Sequence, residues 1–408
     1  MHEMGKRPLY IFNPEHDLAL ASGEMNYMAP ASARQMAADL ALLPVWYAEK
    51  EAMILAPSAY NMEFLKNIEK LFGDCAQLVT PPELATEEDF EIIPWGWDLA
   101  LCRQLSTLGV NESQLPSCQY IEQLRHYSHR SRAVEMLSRL QLNEYFCGES
   151  YYLTVPETWK TFVESHVTCL LKAPLSGSGK GLNWCKGEFT SSISGWCTRI
   201  GVSQGGVIGE PIYNKVEDFA MEFYSDGQGT VTFAGYSLFR TGGSGMYDGN
   251  DLLANARILE KLSAYVSEAN FILLENQLKE ELVDMLGVTY KGYLGVDMMI
   301  CQFSESDFKP KYRIHPCVEI NLRMNMGVVA RQLTDRFLAF DAEGEFHISY
   351  YSADGLALEE HQRMETMYPL HIDNGRIRSG YLSLVPVTSR SRYRAWILNQ
   401  DDVTVMNF

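Results

Sequence analysis

The chain has 408 residues, too many for one ordinary domain, so two or three packed units are expected. Its composition, 46% hydrophobic and 21% charged residues, is that of a globular protein, and no run of about 18 or more apolar residues offers a membrane-spanning helix. A net charge of −18 excludes general nucleic-acid binding, which needs a basic surface to neutralise phosphates.

The first residues, 1–17, carry no apolar core ahead of a small-residue cleavage site, so no signal peptide is expected and the chain is assigned to the cytoplasm. The nine cysteines are scattered and lack CxxC spacing. They fit small buried hydrophobes in a reducing compartment better than a disulfide framework or a thiolate metal site.

In chain order, residues 9–12 form a short apolar run expected to be a buried strand, followed by the loop Asn13-Pro14-Glu15-His16-Asp17. A helix is expected over 31–42, an apolar strand over 52–55 and a second helix over 61–72. Strands alternating with helices predict a parallel α/β sheet for the N-terminal domain, residues 1–124. Near residue 128 the character changes: Ser128 is expected to cap a helix with Val134, Leu137 and Leu140 on one face. A strand over 168–172, a Gly/Ser-rich loop and a strand over 206–209 follow. Residues 218–239 are expected to be antiparallel strands turning at Asp226-Gly227. A long amphipathic helix in two pieces should occupy 252–285, and a strand pair 293–302 and 317–321. Residues 336–408 form a C-terminal β-rich extension packed on the core, with a strand at 381–387.

Four segments carry chemistry. In the first, Lys172 ends a strand and leads into Ala173-Pro174-Leu175-Ser176-Gly177-Ser178-Gly179-Lys180-Gly181. Glycines let backbone N–H groups approach phosphates, serines add donors and lysine adds charge. A P-loop fails here, because Pro174 and Gly181 stand where glycine and Ser/Thr are required. The second is Glu210-Pro211-Ile212 with Asp218 downstream; a strand edge can meet adenine and an acid can accept from ribose hydroxyls, although Asp218 alone reads as a surface residue. The third is Asp297, one acid inside an apolar strand, costly to bury unless it is paired or binds a metal. The fourth is Val318-Glu319-Ile320-Asn321-Leu322-Arg323, where period-2 alternation puts Glu319, Asn321 and Arg323 on one face. A carboxylate beside an amide oxygen suits Mg²⁺ rather than zinc. The same alternation also describes any half-exposed strand.

The order and spacing of the four resemble the ATP-grasp superfamily over about residues 125–330. The resemblance implies an α/β N-terminal domain followed by α+β ATP-grasp lobes clamping the nucleotide, with the ATP-grasp domain at 125–335 and its small lobe at about 125–210. It implies that Lys172 contacts the nucleotide phosphates, that Ser176, Gly177, Ser178, Gly179 and Lys180 cover them, that Glu210 and Ile212 lie at the adenine hinge, and that Asp218 lies at the ribose. Asp297, Glu319 and Asn321 would hold Mg²⁺, with Mn²⁺ as a substitute, and Arg323 would face the transferred phosphate. Arg130 and Arg132 compete for a further nucleotide contact, with Arg132 preferred. Leu322 stands where the family often has proline, which leaves the ligand side chains in place.

The implied activity is an ADP-forming ligase: a carboxylate of an amino acid, peptide or similar small acid attacks the γ-phosphate, and an amine then displaces phosphate from the acyl phosphate. A small-molecule kinase and a non-catalytic nucleotide-binding regulator are the alternatives. The expected partners are small carboxylate and amine substrates, with a homodimer as the assembly allowed and neither nucleic acid nor membrane. Candidate substrate contacts are Arg240, Tyr247 and Asn250 in the glycine-rich stretch 239–250, read as a ligand loop, and His16 in the 13–17 loop, which could equally cap the next helix. Pro94-Trp95-Gly96-Trp97-Asp98 is an unusual aromatic cluster, read as core.

Overall fold

The structure, a computed structural model, describes residues 6–58, 61–177, 181–242, 247–304 and 310–399. Strands β1 (Arg7–Ile11), β2 (Met53–Leu55), β3 (Gln77–Val79) and β4 (Phe90–Pro94) make a parallel sheet in the order β3-β2-β1-β4. Helices Ala31–Asp39 and Met62–Phe72 fill the expected places; the first ends early because Pro44 lies in a 3₁₀ turn, Leu43–Trp46, that follows it. Because β2 and β4 flank β1 on opposite sides, the winding reverses there, and the segments after β1 and β4 leave the same edge side by side. They are tied together, with Trp95 N donating to Ile11 O and Asn13 Nδ2 to Gly96 O, both at 2.8 Å.

A second sheet is antiparallel: β5 (Tyr151–Leu153), β6 (Cys169–Lys172), β7 (Leu182–Cys185) and β8 (Val207–Pro211), in the order β5-β8-β6-β7. Helices Pro156–Glu164 and Ser191–Gln204 supply Trp159, Phe162, Ile193 and Cys197 to a core shared with Cys169, Leu171 and Val207. Ser128 does not cap the helix expected after it. It closes the preceding helix, Cys118–Tyr127, through its backbone N–H to Leu124 O, and the next helix, Ser131–Arg139, starts from Arg130.

The third sheet has nine antiparallel strands: β9 (Lys215–Asp226), β10 (Val231–Thr241), β11 (Tyr247–Leu252), β12 (Lys291–Gln302), β13 (Tyr312–Asn321), β14 (Gly344–Tyr350), β15 (His371–Asp373), β16 (Arg376–Ser383) and β17 (Tyr393–Asn399). Their order is β13-β12-β9-β10-β11-β14-β17-β16-β15, so the C-terminal strands continue the sheet that carries the candidate site. The strand expected at 381–387 is displaced: β16 overlaps it only at 381–383 and ends at Ser383, and a helix, Leu356–Met367, lies earlier where none was expected. The two-piece helix is present as Asn255–Ser263 and Glu268–Leu286. Successive strand residues point to opposite faces. On β9, Phe219, Met221 and Phe223 pack with Leu262, Phe271, Leu274 and Leu278 of those helices, while Asp218, Ala220 and Glu222 occupy the other face.

Candidate functional site

The site is built on that second face. Register places Asp297 of β12 opposite Glu319 of β13 and Ala220 of β9, and Gly295 opposite Asn321 and Glu222. Two carboxylates and an amide therefore project together from adjacent strands. Burial, and then the charge of Glu319, push the Asp297 carboxyl up to about 7. The oxygens of Asp297, Glu319 and Asn321 suit a hard divalent cation. Among the described residues no three His, Cys, Asp or Glu side chains gather to enclose a metal.

Beside them Glu222 is 1% exposed and accepts from Asn325 Nδ2 at 2.8 Å. Burial pushes its carboxyl up to about 8, so it is largely protonated at neutral pH. Gly295 leaves it room, since a Cβ there would come within 2.5 Å of Glu222 Oε2.

Two arginines reach this face, and a buried lysine ion pair stands on the second sheet. Arg323, just beyond β13, forks onto Asp17 with Nε to Oδ1 and Nη2 to Oδ2, both at 2.7 Å, and Nη2 also donates to Asn321 Oδ1 at 3.1 Å. Burial alone would raise the Asp17 carboxyl; the guanidinium outweighs it and holds the group below its usual range. Arg130, 7% exposed, donates Nη2 to Glu319 Oε1 at 2.6 Å, and Nη1 to Ala173 O and Ser176 Oγ, each at 2.6 Å. It thereby ties the Gly/Ser segment to the carboxylate pair. Lys172, at the end of β6, meets Glu210 of β8 at 2.6 Å, and Ser150 Oγ donates to the other Glu210 oxygen at 3.0 Å. Both members of this pair are buried.

The remaining expected residues are placed as follows. Ile212 follows β8 with 42% of its surface exposed. Asp218 pairs with Lys215 and accepts from Thr241 Oγ1 at 2.8 Å. Gly177 abuts Asp17: a Cβ would come within 2.3 Å of Oδ2. Ser178, Gly179 and Lys180 lie outside the described residues.

Arg240 pairs through Nη1 with Asp251 and Glu345, while its Nη2 is buried without a partner. Two expectations are corrected. Arg132 turns away to Glu135 at 2.7 Å, and Arg130 takes the place by the carboxylates. Tyr247 and Asn250 lie on β11, not in a loop; the tyrosine hydroxyl donates to Asn250 Oδ1, and the fully buried Asn250 donates to Ser237 Oγ at 2.6 Å.

His16, 2% exposed, lines a small cavity with Asp17, Ser176, Glu319, Asn321 and Arg323. Glu222 and the buried His315 were not among the residues expected at the site, whereas Asp17 lies in the 13–17 loop singled out from the sequence and Arg130 was the rival of Arg132. His315 stands opposite Met299 with burial pushing its imidazole down to about 4, and neither ring nitrogen has a partner. No sequence motif marks Glu222 or His315; only strand register and chain path bring them here.

No family model matches the sequence. No curated protein matches it either. Among solved structures, the biotin carboxylase–β,γ-ATP complex from Campylobacter jejuni superposes with a TM-score of 0.50 at 13% identity, over 98% of this chain and 89% of that one. N5-carboxyaminoimidazole synthetase from Staphylococcus aureus complexed with ADP gives 0.46 at 13% identity, over 99% and 96%. The biotin carboxylase domain of 2-oxoglutarate carboxylase from Hydrogenobacter thermophilus, with MgADP and bicarbonate, gives 0.46 at 12%, over 97% and 86%. The first of these likenesses establishes the fold: the chain shares the overall fold of that biotin carboxylase.

Proposed function

We propose that this protein is an ATP- and Mg²⁺-dependent ligase that activates the carboxylate of an amino acid, peptide or similar small acid as an acyl phosphate and joins it to an amine. The observation that carries the reading is the oxygen set of Asp297, Glu319 and Asn321, met by Arg130 on Glu319 and by Arg323 on Asn321. The raised Asp297 carboxyl and the Glu319 charge beside it are what a divalent cation would relieve. The biotin carboxylase of the same fold is itself a nucleotide complex.

In this reading Asp297, Glu319 and Asn321 would hold Mg²⁺, which would supply charge neutralisation for the transferring phosphoryl group. Lys172, steadied by Glu210, and the Ser176–Gly177 segment meet the phosphates, with Ser178, Gly179 and Lys180 following. Ile212 borders the adenine, Asp218 the ribose, and Arg323 the transferred phosphate. No side-chain nucleophile is needed, because positioning and electrostatics do the work.

The experiment is an ADP-release screen with Mg·ATP over pooled acids and amines, with mass analysis of products. Release that needs both an acid and an amine, with an amide product, supports the ligase; a phosphorylated alcohol as the product makes the protein a kinase and overturns it. Glu319→Gln, near-isosteric and uncharged, should lower turnover on the order of 100-fold or more while leaving the circular dichroism spectrum unchanged. Unaltered turnover removes Glu319 from the metal site.

A further inference from the structure

Two segments that the proposed chemistry does not use meet at the carboxyl edge of the N-terminal sheet: 13–17 after β1 and 95–98 after β4. The second ends in Asp98, 2% exposed, whose Oδ1 accepts from Leu101 N at 2.8 Å and so caps helix Leu99–Thr107. Its Oδ2 lies 3.3 Å from Asn13 Nδ2 and 3.5 Å from His16 Nδ1, an ion-pair separation rather than a closed hydrogen bond. Asn13 in turn is fixed on Gly96 O.

The imidazole rests against Gly96, where a Cβ would come within 2.5 Å of the ring carbons; any side chain there would displace it. Nδ1 is buried on the Asp98 side. His16 lines the cavity that also holds Ser176, Glu319, Asn321 and Arg323. A histidine with Nδ1 beside an anchored carboxylate, at the wall of a reaction cavity, has the parts of a general base: a carboxylate closing on Nδ1–H would leave Nε2 to take the proton and would steady the imidazolium. Contacts of this kind are often long until substrate binds.

We infer that His16 is the proton acceptor for the amine, a role that rests on the ligase reading above. The amine arrives as an ammonium and gives one proton to His16 Nε2. Its freed lone pair attacks the acyl carbon, the acyl C–O bond to phosphate breaks with its electron pair leaving on oxygen, and the second nitrogen proton leaves with the phosphate. The products are amide, hydrogen phosphate and imidazolium. Glu15 and Asp17 on its own segment, Asp98 from the neighbouring segment, and Glu319 and Arg323 from the β13 side are the charged groups around the ring. The cluster after β4 thus acquires a role: Gly96 clamps the imidazole and Asp98 orients it.

The test separates acyl activation from proton removal. Wild-type protein, His16→Asn and Asp98→Asn are each given Mg·ATP and pooled proteinogenic amino acids. One arm follows dipeptide by mass; the other adds hydroxylamine, which is unprotonated at neutral pH, and follows the hydroxamate. His16→Asn should lose dipeptide formation by about 100-fold or more, within the range of general-base contributions, and keep hydroxamate formation within about twofold. Asp98→Asn, near-isosteric and still able to cap the helix, should show the same split at about tenfold. Equal losses in both arms, or no loss in either, overturn the role of His16 while leaving the ligase standing. A wild-type protein that makes neither product overturns the ligase reading, and this role with it.

Discussion

Arg130 and Arg132 sit two positions apart at one helix start, yet they face different neighbours. Arg130 is buried against Ala173 O, Ser176 and Glu319, whereas Arg132 is a quarter exposed and pairs with Glu135 one turn on. Truncating one partner of a buried ion pair leaves the other charge uncompensated, at about 3–5 kcal/mol, while an exposed pair contributes about 0–1 kcal/mol. Glu319 keeps 26% exposure, which softens the first figure. Arg130→Met should therefore lower unfolding stability in urea by about 2–3 kcal/mol and weaken Mg·ADP binding by calorimetry. Arg132→Met should stay within about 0.5 kcal/mol and bind normally. Equal effects of the two would remove Arg130 from its anchoring place. The sequence reading preferred Arg132, because helix periodicity says which residues share a face and nothing about which strand that face meets. Arg240 shows the same limit: the sequence did not reveal that Asp251 and Glu345 take its Nη1 and leave Nη2 without a partner.

Elements whose chemistry is written in their own period were the most legible. Alternation alone set Glu319 and Asn321 on one face of β13, and the isolated acid in β12 lies opposite them. The stretch 239–250 was illegible for a physical reason. Its glycines looked like turn residues, but Gly249 is there because β14 runs close by: a Cβ would come within 2.5 Å of Phe346 O. Helix Met326–Phe337 poses the same problem at its first turn. Asn325 caps it by accepting from Val328 N at 3.0 Å and also donates to Glu222, while a Cβ on Gly327 would overlap Glu222 Oε1. Gly→Ala inside a helix ordinarily gains about 1 kcal/mol from propensity. Overpacking against a buried group costs about 1–3 kcal/mol and more when backbone must move. Gly327→Ala should therefore destabilise the protein by about 1–2 kcal/mol, read as a lower urea midpoint at unchanged m-value. A raised midpoint would mean that the helix start is not pressed onto Glu222.

The whole molecule joins elements no local pattern could pair. Asp17 and Arg323 lie 306 positions apart, and Trp46 Nε1 donates to Leu384 O across 338. The N-terminal domain thus enters the site through contacts that only the assembled fold defines, whereas the parallel sheet itself was legible from strand–helix alternation. Buried carboxyls at this junction make stability depend on pH. Glu222, at about 8, lies above its ordinary value of 4.5, so the folded chain binds this proton more tightly than the unfolded one. Its contribution is complete below the unfolded value and is lost as pH rises through the window from 4.5 to about 8. Within that window each pH unit removes up to about 1.4 kcal/mol. Asp297, raised to about 7, acts in the same direction over a narrower range. Urea midpoints of the metal-free protein should therefore fall between pH 5.5 and 8. Glu222→Gln keeps an oxygen for Asn325 and carries no titrating proton, so its midpoints should fall distinctly less over the same range. Parallel slopes for the two proteins would show that Glu222 does not hold its proton in the folded state.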